Sequence, residues 1–275
     1  MQALLFGTAG IPISTEPRDT ISGIAQVRKL GLRAMELEFV HSVNLGEHAW
    51  PVVKKAAAEN DVVLSCHGQY YVNLNAREEK KLAASKSRML SAIRASASCG
   101  AFSITFHMAY YMKMDAEHVY TIVKKNLQEV VESMKSNGIS VWVRPETTGK
   151  AAQFGSLAEV LKLSSELEHV MPCIDFAHLH AREGKVNSYA EFCEVLEKVE
   201  NSLGKKALHE MHIQVSGVEY SAKGEIRHLP IEKSDLNYRE LVRAWKDFGI
   251  RGSVISESPN IEQDALLLKR VYDAL

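Results

Sequence analysis

Short apolar runs alternate with longer amphipathic segments along the whole 275-residue chain, and that alternation restricts the fold more than any other feature. Residues 3–7, 34–39, 62–67, 103–107, 140–146, 171–175, 210–215 and 253–257 are short and largely apolar, as strands covered on both faces are. The segments 21–30, 50–59, 78–98, 117–136, 157–168, 189–203, 238–248 and 261–275 carry apolar residues at three- and four-residue spacing, which predicts helices. Asn137-Gly138 and Phe248-Gly249 close two of them, and Ser156 and Asn260 are placed to cap two others. Strands and helices in strict alternation, eight of each, predict a single (β/α)8 TIM barrel, for which about 250 residues is usual. The alternative, a doubly wound open sheet, is disfavoured. The first strand-to-helix turn, Gly7-Thr8-Ala9-Gly10, has neither a dinucleotide-binding nor a P-loop glycine pattern. No linker or low-complexity tract divides the chain, so residues 1–275 read as one domain.

In such a barrel the C-terminal ends of all strands open on one face. His67, His107, Glu146 and Asp175 end the third to sixth strands, and His178 follows the sixth. His212 lies on the seventh strand, His228 lies in the loop after it, and Glu257 ends the eighth. Each alone is ordinary, but six consecutive strands that carry His, Asp or Glu to one face are not. Burying so many ionisable groups uncompensated is costly, and cations among them offset that cost. Imidazole and carboxylate without cysteine suit Zn2+, Mn2+ or Fe, and five histidines favour Zn2+. The donors are too many for one tetrahedral ion, so two or three ions with a bridging carboxylate are expected. Multinuclear sites of this kind mostly perform hydrolysis.

Longer motifs narrow this reading. Cys66-His67-Gly68-Gln69-Tyr70-Tyr71-Val72-Asn73-Leu74, Phe106-His107, Arg144-Pro145-Glu146-Thr147-Thr148-Gly149-Lys150 and Cys173-Ile174-Asp175-Phe176-Ala177-His178 follow one another in order. Met211-His212-Ile213 and Ser256-Glu257-Ser258-Pro259 come after them. Together they resemble the endonuclease IV family of zinc-dependent apurinic/apyrimidinic endonucleases, over residues 62–257. The resemblance implies a TIM barrel and DNA incision 5′ to abasic sites in base-excision repair. It implies His67, His107 and Glu146 as ligands of one zinc. It implies Glu146, Asp175, His212 and Glu257 as ligands of a second, with Glu146 bridging. His178 and His228 then resemble ligands of a third, which steadies the leaving 3′-oxygen. A metal-bridged hydroxide is the implied nucleophile, and Glu146, Asp175 and Glu257 are the implied catalytic carboxylates. Tyr70 and Tyr71 stand where the family wedges aromatic or apolar residues into the minor groove, a device that lowers the cost of flipping a nucleotide. Asn73 is expected to support that loop and Arg227 to contact the DNA.

The chain departs from the family at one ligand. The third site uses an Asp-x-His pair, and here Gly224-Glu225-Ile226-Arg227-His228 puts isoleucine in the aspartate's place. Glu225, His180 or water are the groups available to replace it. Arg144, Lys150, Arg182, Lys185, Lys223 and Arg227 are expected at or near the rim, and Tyr110-Tyr111-Met112-Lys113 forms an aromatic, basic loop on the same face. His48, His118 and His169 read as surface residues. Glu36 and Glu38 alternate in strand two, and one of them is expected to face the barrel interior.

A metal-dependent sugar isomerase or epimerase of the same barrel superfamily is the alternative function. It needs a pair of acid/base carboxylates and fewer histidines. A non-catalytic DNA-binding or metal-binding descendant is a third reading, against which the intact first and second ligand sets argue. With Lys+Arg 33 and Asp+Glu 34 the formal net charge is −1, so abasic double-stranded DNA as partner requires a local source of positive charge. No membrane span is present in the sequence, and the widely spaced Cys66, Cys99, Cys173 and Cys193 read as reduced thiols. A cytoplasmic monomer is expected.

Overall fold

A computed structural model describes residues 1–275. Eight parallel strands form the barrel: β1 (Leu4–Ala9), β2 (Ala34–Glu38), β3 (Val63–His67), β4 (Ser103–Phe106), β5 (Trp142–Pro145), β6 (Cys173–Asp175), β7 (Met211–Val215) and β8 (Gly252–Ser256). Hydrogen-bonded neighbours run from β5 through β4, β3, β2, β1, β8 and β7 to β6. The bridges Val143 to Val170 and Glu146 to Cys173 bring β5 against β6 and complete the ring. The barrel forecast from the alternation is therefore the fold.

The outer layer is α1 (Thr20–Lys29), α2 (Trp50–Glu59), α3 (Glu79–Ser98), α4 (Ala116–Ser136), α5 (Leu157–Glu166), α6 (Phe176–Glu183), α7 (Tyr189–Leu203), α8 (Tyr238–Asp247) and α9 (Glu262–Ala274). Each turns an apolar stripe to the sheet; α4 buries Val119, Val123, Leu127, Val130 and Met134 in this way. Ser156 caps α5 as expected, in a reciprocal box with Glu159. Asn260 does not cap α9. Its amide instead donates to Asp264 at 2.8 Å, and Ile261 precedes the helix with φ 42°.

Two features were not legible in the periodicity. The short α6 begins on the residue after β6, because the Asp175 carboxylate caps it by accepting from the His178 N–H at 2.7 Å. After β7, Gly217–Ser221 and Gly224–Leu229 pair as an antiparallel hairpin that folds back over the barrel mouth. All four cysteines are free thiols, three of them buried. No helix is long and apolar enough to cross a membrane.

Candidate metal centre

Glu146, one residue beyond β5, is buried and gathers three imidazoles. His107 Nε2 lies 2.8 Å from its Oε1, His178 Nδ1 3.1 Å from the same oxygen, and His67 Nε2 3.3 Å from its Oε2. Burial alone would raise the Glu146 carboxyl, but His107, His178 and His67 hold it well below the usual carboxylate range. Burial opposes charge on His67 and His178 too. Hydrogen bonds and carboxylate neighbours prevail, and both are lifted well above the ordinary histidine value.

The hairpin completes the mouth. Glu225 Oε2 stands 3.4 Å from His178 Nε2, and its Oε1 stands 3.5 Å from His228 Nε2. Glu225 thus stands between His178 and His228, whereas Ile226 points to solvent. Against the pull of burial, His178 and His228 bring the Glu225 carboxyl down to about 2. The other candidate substitute, His180, is turned away, with Nε2 3.1 Å from Asp235 and Nδ1 2.8 Å from the Lys185 carbonyl oxygen.

The donor atoms of His67, His107 and Glu146 lie close enough to share an ion; so do those of His178, Glu225 and His228, and those of Glu146, Asp175 and His178. The orientation of the rings supports the first two sets. The Nδ1–H of His67 donates to the Gly68 carbonyl at 2.7 Å, that of His178 to the Thr147 carbonyl at 3.0 Å, and that of His228 to the Glu257 carbonyl at 3.2 Å. A carbonyl can only accept, so each Nδ1 bears a hydrogen and Nε2 is the nitrogen turned to the cavity, the ring orientation that metal-bound histidines adopt. Asp175 Oδ2 is buried beside these groups without a hydrogen-bond partner, an unmet acceptor that a cation would satisfy. The residues therefore fit divalent cations.

Around this cluster is a cavity of about 220 Å³ lined by His67, His107, Glu146, His178, His228 and Glu257, with Tyr70, Tyr110, Lys150, Gln153 and Glu225 at its walls. Burial, then Asp175 and Glu146, push Glu257 well above the carboxylate range. Tyr70 packs its edge on His67 with ring centroids 5.3 Å apart, and Tyr71 beside it is 64% exposed. Asn73 serves its own loop: its carbonyl oxygen accepts from the N–H groups of Asn75 and Tyr110. Arg227 is exposed on the hairpin and pairs with Glu219 at 2.6 Å.

Two expected positions are corrected. His212 is not among the cavity residues. It is fully buried deeper in the barrel, where Nε2 lies 2.8 Å from Glu36 and Nδ1 3.1 Å from the Ser103 hydroxyl. The β7 residue in register with Asp175 is Gln214, two positions on. Arg144 is not at the rim either. It is wholly buried, donates to the carbonyls of Pro172 and Glu210, and sits over the Phe102 ring. Arg182 is likewise occupied, donating to the carbonyls of Thr148, Lys150 and Gln153 and so holding the loop after β5. Both members of the strand-two pair face the interior, and Glu36 also accepts from Ser65. Glu38 is pushed up to about 8 by burial and by Glu36.

A (β/α)8 barrel with histidine–carboxylate groups fit for cations at the C-terminal end of its strands is the class these observations define. Within that class, the chain belongs to the xylose isomerase-like TIM barrel family, whose model matches residues 24–272. It is 45% identical over 273 residues to an uncharacterized protein of Methanocaldococcus jannaschii, covering 99% of this chain and 98% of that one. Solved structures of similar fold include sugar epimerases and an endonuclease. A D-tagatose 3-epimerase-like protein matches with TM-score 0.71 and 16% identity, over 97% of this chain and 96% of that one. Endonuclease IV from Thermus thermophilus matches with TM-score 0.68 and 16% identity, over 97% and 98%. At such identity these likenesses show the fold alone.

Proposed function

We propose that the chain is a metal-dependent phosphodiesterase that incises DNA 5′ to abasic sites. The observation that carries this reading is the unbroken run of donors from His67 and His107 through Glu146 to His178, Glu225 and His228. Hydrolysis of a phosphodiester gains from cations on both sides of the phosphorus, which such a run of donors can supply. His67, His107 and Glu146 would hold one ion and His178, Glu225 and His228 another, with Asp175 and Glu257 beside them. Zinc suits these donors and manganese is the alternative. Bound there, such ions supply a water acidic enough to be a nucleophile near neutral pH and positive charge for the leaving oxygen.

The remaining steps fall to the chain itself. Glu146 fixes three rings relative to one another, and the backbone carbonyls behind His67, His178 and His228 fix their tautomers. Lys150, exposed at the cavity wall, offers its ammonium to a phosphate entering the mouth. Tyr70 and Tyr71 stand exposed next to the cluster, where they can fill the gap left by an extruded abasic nucleotide. Asn73 keeps that loop against Tyr110, and Arg227 reaches a phosphate only by leaving Glu219.

One observation favours the epimerase reading. Glu146 and Glu257 have their proton affinities driven in opposite directions, as an acid/base pair acting on a sugar requires. A side-by-side assay separates the two. The zinc-loaded protein is given a duplex with one tetrahydrofuran abasic analogue and, separately, free ketoses. Incision without ketose turnover is expected; ketose turnover without incision would replace the nuclease with an epimerase.

A further inference from the structure

We infer that Gln214 closes the middle metal position, so that this chain is built for two ions rather than three. The middle position is the one for which Glu146, Asp175, His212 and Glu257 were expected to combine. Its imidazole is missing on geometric grounds. His212 is two residues too deep, with Nδ1 hydrogen-bonded to the Ser103 hydroxyl and Nε2 turned to Glu36 at 2.8 Å. His178 cannot replace it there, because its Nδ1, the nitrogen facing Glu146 and Asp175, carries the proton donated to Thr147.

Gln214 occupies the height that His212 would need. Its one amide nitrogen donates both hydrogens to carboxylates, to Glu36 Oε1 at 2.8 Å and to Glu257 Oε1 at 2.8 Å. The opposite end is also engaged, since Gln214 Oε1 accepts from the Cys173 thiol at 3.2 Å. The amide nitrogen has no lone pair for a cation, the amide oxygen is turned to Cys173, and one oxygen of Glu257 is taken up by the amide. Gln214 is thus a positioning residue, holding Glu257 at the edge of the cavity.

The inference rests on the reading that the histidine–carboxylate groups bind cations, and it is tested by counting ions without any substrate. Protein stripped with a chelator is reloaded with excess zinc, desalted, and assayed for metal per chain by mass spectrometry. About two ions are expected in the native sequence, and about three would overturn the inference. Gln214→His puts an imidazole at the height level with Asp175 and is expected to raise the count by about one. A folded Gln214→His protein whose count does not rise would overturn it. The double variant Glu36→Gln/His212→Asn keeps a hydrogen-bonding pair while removing the deep imidazole, and its count is expected to equal the native one. A loss of about one ion there would make His212 a ligand and overturn the inference. Two bound ions with no DNA incision would remove the nuclease reading alone, and a native protein that binds no zinc would remove both.

Discussion

Glu146 meets His67, His107 and His178 with its two carboxylate oxygens. Glu146→Gln keeps the shape but withdraws the charge that two ions would share. Incision should fall about a thousandfold, the equivalent of several kcal/mol of lost transition-state stabilisation, with the fold intact by circular dichroism. A variant near the native rate would remove Glu146 from the chemistry. At this scale the sequence was readable where a residue ended a strand. His67, His107, Glu146, Asp175, His178, His228 and Glu257 stand at or beside the mouth because strand ends were recognisable from the apolar runs. His212 was not readable in the same way. Residues 212 and 214 share a face under the period of two, and only the register against β6 reveals which is level with Asp175. Arg144 misled for a related reason: proximity to a strand end does not say whether a long side chain turns up to the rim or down to the floor.

The hairpin Gly217–Ser221/Gly224–Leu229 delivers both Glu225 and His228 to His178, a group that could hold an ion. Two anchors seat it. Gly224, at φ 97°, packs so closely that a Cβ would fall 2.2 Å from the Gly149 carbonyl oxygen, and the Glu225 N–H donates to that same oxygen at 2.9 Å. On the far side, Asp235 accepts from the Tyr220 hydroxyl at 2.8 Å while His180 lies 3.1 Å away. Gly224→Ala should therefore lift the hairpin and weaken the outer ion about 10- to 100-fold, leaving the inner one in place. Isothermal titration with zinc would show one weakened binding step, and two unchanged steps would contradict the role given to the hairpin. The hairpin escaped sequence analysis because its turn, Ser221-Ala222-Lys223-Gly224, lacks the Asn-Gly or Asp-Gly signal and its strands are short and polar. Likewise α6 was hidden, being a helix of 8 residues that starts on the heels of a strand.

Across the whole molecule the balance of charge becomes conditional on metal. With a formal net charge of −1 the polypeptide has no bulk attraction for DNA, and bound divalent cations would supply it at the mouth of the barrel. Affinity for an uncut abasic duplex should fall when a chelator strips the protein.

Stability should follow the same variable. His67 and His178 are raised above the ordinary histidine value of 6.5, so their protonation stabilises the metal-free fold below that value and the contribution is lost as pH rises through the raised range. Glu257 and Glu38 act in the same direction. A buried acid held protonated costs stability as pH rises above its ordinary value of 4.5, for Glu38 until about 8. Glu146, held low, loses its contribution only in acid. Cations replace the protons, so the gap in melting temperature between zinc-loaded and chelated protein should widen from about pH 6 to about pH 8. A gap that narrows over that interval would mean that the buried groups are not where the metal binds.

The most direct measurement is the incision rate on a tetrahydrofuran-containing duplex as chelator-stripped protein is reloaded with zinc. Incision 5′ to the analogue, leaving a 3′-hydroxyl and rising with bound zinc, is the predicted result. A duplex that stays intact at full zinc occupancy would contradict the account.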